Sequence, residues 1–209
     1  GSMESIPKRI NDCLQRSLNS EAIDSNSKEM RAIIAYMKWM GQNVKKGEKP
    51  KGAGIKDLPF LQRPADPEEG RKVFTETCAR CHGADGTGVK DPFGVSYIYP
   101  PLWGPNSYST AAGLFRLSRF AGYVKDNMPF GVSHYNNQLS NEQAWDVAAF
   151  VNSQPRPVKV FKEDWPNIAG KPIDYPFGPY ADTFPEKQHK YGPFGPIKKY
   201  KDEVSGGKR

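Results

Sequence analysis

Apolar positions recur at helical spacing in several stretches of this chain. Met30, Ile33, Ile34 and Met37 fall at i, i+3, i+4 and i+7 and draw one stripe along a helix that Ser27 caps and Gly41 stops. Residues 7–18 read as a helix ahead of it. Asp66-Pro67-Glu68-Glu69 is a helix start, with Asp66 as N-cap, Pro67 at the first helical position and Glu69 closing a capping box. That helix runs through Gly70, Val73 and Phe74. A further helix is predicted over 111–125, ending near Asn127-Met128-Pro129. Ser140, with Gln143 in a capping box, opens a last one carrying Trp145, Val147, Ala148, Phe150 and Val151, and Pro155 ends it. The expected fold class is all-α.

The intervening stretches lack periodicity. Residues 43–65 are rich in Lys, Gly and Pro and read as a linker at a domain boundary. The reading divides the chain into 1–42, a linker 43–65, a domain 66–155 and a tail 156–209. Few helix signals occur in the tail. Its Pro176-Phe177-Gly178-Pro179-Tyr180 is nearly echoed by Tyr191-Gly192-Pro193-Phe194-Gly195-Pro196. So many aromatics favour an extended strap lying on the domains over a disordered tail.

With 19 prolines, 20 glycines and few aliphatic residues, the fold should be loop-rich and short of apolar core. Net charge is +7, but the basic residues are scattered and no nucleic-acid motif is present. The charge favours an acidic redox partner or an anionic substrate over nucleic acid. No apolar run is long enough to span a membrane.

Cys78-Ala79-Arg80-Cys81-His82 carries the chemistry. The pattern C-x-x-C-H is the attachment signature of c-type haem. Two thiols at this spacing reach the two vinyl groups on one edge of the ring, and the next residue presents an imidazole to the iron. A thioredoxin-type pair needs no trailing histidine, and a zinc site needs a second ligand pair. The one remaining cysteine, Cys13, cannot supply that pair. Gly83-Ala84-Asp85-Gly86-Thr87-Gly88 is not a phosphate loop, since no strand precedes it and no Lys-Ser/Thr helix follows. Haem c, covalently attached, is the expected cofactor. Its maturation implies a periplasmic location, with an export signal expected ahead of this sequence.

Residues 66–155 resemble a class I cytochrome c, through the haem motif, the Pro100-Pro101-Leu102-x-Gly104 run, Asn127-Met128-Pro129 and the last aromatic-bearing helix. The resemblance implies that Gly70, Phe74 and Phe150 form a helix crossing and that His82 is the proximal ligand. The carbonyl of Pro100 or Pro101 would orient His82, Pro101 and Leu102 would line the haem, and Met128 would be the distal ligand. His134 and His189 are competing imidazoles, and Lys125 could compete at high pH.

An internal repeat links the two halves. Ile33-x-Ala35-Tyr36-Met37 lines up with Val147-x-Ala149-Phe150-Val151, and Cys13 precedes Tyr36 by 23 residues as Met128 precedes Phe150 by 22. The first segment therefore reads as the second half of another cytochrome domain. Over most of its length the chain is similar to the dihaem thiosulfate dehydrogenases, or tetrathionate reductases, lacking their first haem motif. The matching stretches include Arg9 through Ser17, Met30 through Trp39, Pro100 through Pro105, Asn152 through Pro157 and Gln188 through Phe194.

That resemblance implies oxidation of two thiosulfates to tetrathionate, with an acceptor cytochrome or other redox protein taking the electrons. It makes Cys13 the thiolate ligand of a second haem, if the missing motif is supplied, and Arg9 and Ser17 the holders of the anionic substrate. One turn on either side of Cys13, both would share its helix face. Where members of that family often carry a lysine before the distal methionine, this chain has Asn127. The rival reading is a monohaem cytochrome that only carries electrons.

Overall fold

The computed structural model describes residues 4–50, 52–133, 135–161 and 164–206. Within them the chain forms helices α1 (Ile6–Asp12), α2 (Lys28–Gly41), α3 (Pro67–Val73), α4 (Ala79–His82), α5 (Leu117–Asn127), α6 (Asn141–Ser153), α7 (Glu186–Tyr191) and α8 (Phe194–Gly206). A two-stranded antiparallel hairpin, β1 (Val89–Lys90) and β2 (Tyr97–Tyr99), is the only sheet among the described residues. The fold is all-α in class.

Side-chain caps start the helices. Ser27 Oγ accepts the Met30 N–H at 3.1 Å at the head of α2. Asp66 Oδ1 takes the N–H groups of Glu68 and Glu69 at the head of α3. The capping box expected there is absent: the Asp66 N–H goes to Asp146 Oδ1 at 2.8 Å, and Glu69 pairs with Lys72 at 2.6 Å. Ser140 and Gln143 do form the reciprocal box of α6, at 3.1 and 2.8 Å.

The core lies where α3 crosses α6. A Cβ placed on Gly70 would sit 1.9 Å from the carbonyl oxygen of Asp146, so the two backbones meet with no room for a side chain. Phe74 then lies between Phe150 and Trp103, its ring tilted against both, with centroids 5.4 and 4.9 Å away. The helix α5 lies along α6 with Leu117, Phe120, Ala121 and Val124 buried. It begins at Leu117, six residues later than the periodicity indicates, after a 3-10 turn at Gly113–Phe115.

Three departures from the sequence reading have physical causes. First, residues 7–18 are not one regular helix: α1 passes into a π-helical turn, Cys13–Ser17, closed by the Leu18 N–H to the Cys13 carbonyl at 3.1 Å. Second, the later part of the linker is laid into the core. Leu58 is buried, the Pro59 carbonyl accepts the Trp145 indole N–H at 3.0 Å, and Arg63 forks onto the buried carboxylate of Asp146 at 2.7 and 2.8 Å. Third, the tail ends in two helices. Burial of Phe194 and Ile197, with Phe194 against Phe60 and Trp145, supplies what local propensity lacks. Between Pro155 and α7 the described residues carry one 3-10 turn, at Ile168–Gly170.

Candidate functional site

The helix α3, a π-helical turn at Phe74–Cys78 and α4 form one rod that delivers the C-x-x-C-H motif at its end. Gly83, at φ 80°, ends the rod where an L side chain would be strained. Cys78 and Cys81 are free thiols, each half-buried. Burial, helped by the neighbouring Cys81, pushes the Cys78 thiol up to about 11. His82 is buried, and its Nδ1 lies 2.8 Å from the Pro100 carbonyl. A carbonyl only accepts, so Nδ1 carries the proton and Nε2 keeps its lone pair. Among the described residues Nε2 has no hydrogen-bond partner. Pro100 thus resolves the choice between two prolines, while Pro101 is buried and Leu102 packs on the core cluster.

The segment opposite the imidazole is tied tightly to the motif. The Gly88 N–H reaches the His82 carbonyl at 2.9 Å and the Leu102 N–H reaches the Gly86 carbonyl at 2.8 Å. Gly88, at φ 83°, would place a Cβ 2.6 Å from the Tyr99 carbonyl, so only glycine permits this approach. Met128 caps α5, half-buried against the core cluster.

The competing ligands are committed elsewhere. His189 is buried in the tail, with Nδ1 2.8 Å from the Ile173 carbonyl, Nε2 3.0 Å from Asp182 Oδ1, and the ring stacked on Tyr180 at 3.7 Å. Lys125 donates to the Leu139 carbonyl. His134 lies outside the described residues. Among the described residues no group of three or more His, Cys, Asp or Glu side chains could hold a metal ion. Two thiols at one end of a rod, an imidazole with its outer nitrogen already bonded and a half-buried thioether match the donor set of haem c. The residues present therefore fit the group.

Arg9, Cys13 and Ser17 are all exposed, on α1 and the π-helical turn that continues it. This turn is clamped from behind. Arg16 forks onto Asp164 at 2.7 and 2.9 Å and lies 3.8 Å over the Phe161 ring. Ser109 Oγ donates to the Arg16 carbonyl at 2.8 Å, and Lys159 Nζ to the carbonyls of Gln15 and Ser20. Sequence reasoning missed this clamp, since its members are scattered over the whole chain with no shared motif.

Comparison with known proteins agrees with the geometry. The cytochrome c family model matches residues 67–155. The thiosulfate dehydrogenase of Allochromatium vinosum is 42% identical over 158 residues, covering 76% of this chain and 57% of the relative. That of Psychrobacter arcticus is 39% identical, covering 80% and 50%. The chain thus spans about half the length of the curated relatives it matches. Among solved structures, the thiosulfate dehydrogenase TsdBA of Marichromatium purpuratum in its as-isolated form superposes with a TM-score of 0.70 at 29% identity, over 81% of this chain and 37% of that one. No helix among the described residues is long and apolar enough to cross a membrane. A crossing built on Gly70, a buried imidazole held by Pro100 and the agreement with these relatives lead to one assignment: the chain is a haem c electron-transfer protein with a cytochrome c domain, similar over most of its length to the thiosulfate dehydrogenases.

Proposed function

We propose that this chain is the electron-relaying portion of a periplasmic enzyme that couples two thiosulfates into tetrathionate. In this reading His82 and Met128 are the axial ligands at the motif of Cys78 and Cys81, with Pro101 and Leu102 lining the group. Residues 1–42 are part of a second cytochrome domain, 43–65 the connection, 66–155 the haem domain and 156–209 the strap that holds the two together.

The observation that carries the reading is the clamp on the Cys13 turn. Arg16, Ser109 and Lys159 fix its inner side to the haem domain and strap, while Arg9, Cys13 and Ser17 stay exposed on the outside. Arg9 offers a forked donor to a sulfonate-like oxyanion, and among the described residues no carboxylate occupies it. Ser17 adds a hydroxyl one turn beyond the sulfur. Cys13 would bind the iron of the second haem as thiolate.

The exposed face of α2 supports the remnant. Phe150 is covered by Phe74 and Trp103, whereas its counterpart Tyr36 is 57% exposed and stacks on Trp39, itself 62% exposed.

Coupling two thiosulfates forms one S–S bond between their terminal sulfurs, breaks none and releases two electrons. Haem c supplies a one-electron centre, so the pair leaves in two steps to an acceptor cytochrome or other redox protein. Cys13→Ala in the full-length protein tests the reading. Tetrathionate formation should vanish while haem stays attached at Cys78 and Cys81; retained turnover would refute the role of Cys13.

A further inference from the structure

The helix that ends at Met128 begins without a cap of its own. Arg116 holds the N-cap position of α5, where its side chain makes no capping hydrogen bond. Arginine has no acceptor to offer there, and its charge opposes the positive end of the helix dipole. Asp174, from the region beyond α6, supplies what is missing. Its Oδ2 accepts the Ser118 N–H at 3.1 Å and the Ser118 hydroxyl at 2.5 Å, and its Oδ1 accepts Nε and Nη2 of Arg116 at 2.9 and 2.6 Å. Asp174 is 2% exposed, so water competes little for these bonds. Its own backbone is fixed, since the adjoining Ile173 carbonyl accepts His189 Nδ1–H at 2.8 Å.

At the other end, α5 carries Met128, whose N–H donates to the Val124 carbonyl at 3.0 Å. The loop beyond adds little support. Phe130 and Tyr135 are each 92% exposed, and the far end of the loop is tied back to α5 itself, through Lys125 Nζ and the Leu139 carbonyl. Midway along α5, a Cβ on Gly122 would lie 2.2 Å from the Lys56 carbonyl oxygen. That contact sets how closely the helix approaches the linker. The bonds at Ser118 set where its first turn sits along and around its axis. The 11 residues of α5 span about 16 Å, and a helix this short moves as a rod, so a displaced first turn displaces Met128.

We infer that Asp174 is a positioning residue for Met128: by capping α5 from outside residues 66–155, it keeps the thioether at the distal position of the haem site. This rests on the reading of Met128 as distal ligand and not on the sulfur chemistry at Cys13. A neutral thioether is a weak donor, so its hold on iron depends on the backbone that carries it, and groups behind a ligand govern metal binding in this way.

Stopped-flow binding of imidazole to the ferric holoprotein tests it. At saturating imidazole the rate is limited by departure of the resident ligand. Asp174→Asn should raise that limiting rate about tenfold, and Ser118→Ala, which removes one bond and keeps the helix propensity, about threefold. Arg63→Gln breaks the other fork onto a buried carboxylate, at Asp146 and away from α5. It should lower the unfolding midpoint and leave the limiting rate at the wild-type value. A wild-type rate in Asp174→Asn overturns the proposal, as does an equal acceleration in Arg63→Gln. Should Asp174→Asn give no folded holoprotein, Ser118→Ala decides by the same comparison. Met128→Ala separates the two readings. If it keeps the limit and the near-infrared band, the ligand assignment has failed and the role of Asp174 falls with it. If it loses both while Asp174→Asn behaves as wild type, only the positioning role is refuted.

Discussion

Arg16 and Asp164, 148 positions apart, share a forked ion pair of 2.7 and 2.9 Å that joins the Cys13 turn to the C-terminal strap. Their side chains retain 21% and 25% of their exposure, so water screens the pair only in part. Asp164→Asn should cost about 1 to 2 kcal/mol, toward the low end for a hydrogen bond to a charged group. Hydrogen exchange at the backbone of the Cys13 turn should accelerate while α3 and α6 keep their protection. Unchanged exchange there would show that Ser109 and Lys159 hold the turn by themselves.

Gly70→Ala should be the most damaging single-methyl change at the helix crossing. The added Cβ would meet the Asp146 carbonyl at 1.9 Å, and a helix backbone cannot swing aside as a side chain does. A loss of about 3 kcal/mol is expected, read as a fall in the unfolding midpoint of the holoprotein. Alanine is otherwise the better helix former, so a stabilised variant would contradict the close crossing.

Met128→Ala should remove the weak near-infrared band that marks methionine ligation to ferric haem, with the haem still covalently attached. The reduction potential should also fall, because a thioether favours ferrous iron. A band that survives the substitution would assign the distal position to another side chain.

Tyr108 predicts an alkaline loss of stability. Its hydroxyl is buried and donates to Asn152 Oδ1 at 2.8 Å. Burial pushes it from about 10 up to about 12, with Arg156 acting in the opposite direction. Between these two values the unfolded chain has lost the phenolic proton and the native chain has kept it, so unfolding releases a proton. Stability should therefore be level below about pH 10, fall by about 2 to 3 kcal/mol as pH rises to about 12, and level off above it. In Tyr108→Phe that slope should disappear, at a cost of about 1 kcal/mol near neutral pH for the lost hydrogen bond. Denaturant titrations of both proteins across this range measure the difference.

The haem domain was legible because its signals are local. Cys78, Cys81 and His82 fall within five consecutive positions, Ser140 caps its own helix, and Gly70 and Phe74 precede the motif on the same helical rod. The tail misled for the opposite reason. Pro193, Gly195 and Pro196 argue against a helix around Phe194, and only burial of Phe194 and Ile197 against Trp145 and Phe60 overrides them. The linker misled likewise, since Arg63 looks like any surface cation until Asp146 is seen beside it.

The amino-acid order alone determined the chemistry at Cys78–His82, the all-α class and the register of the main helices, because residues near in sequence meet whatever the rest of the chain does. Tertiary structure decided which proline carbonyl holds His82, that His189 and Lys125 are already committed, that a strap grips the Cys13 turn, and that Asp174 caps α5. Each of these depends on groups brought together from distant positions. Packing creates such meetings, and no single stretch of sequence contains both partners.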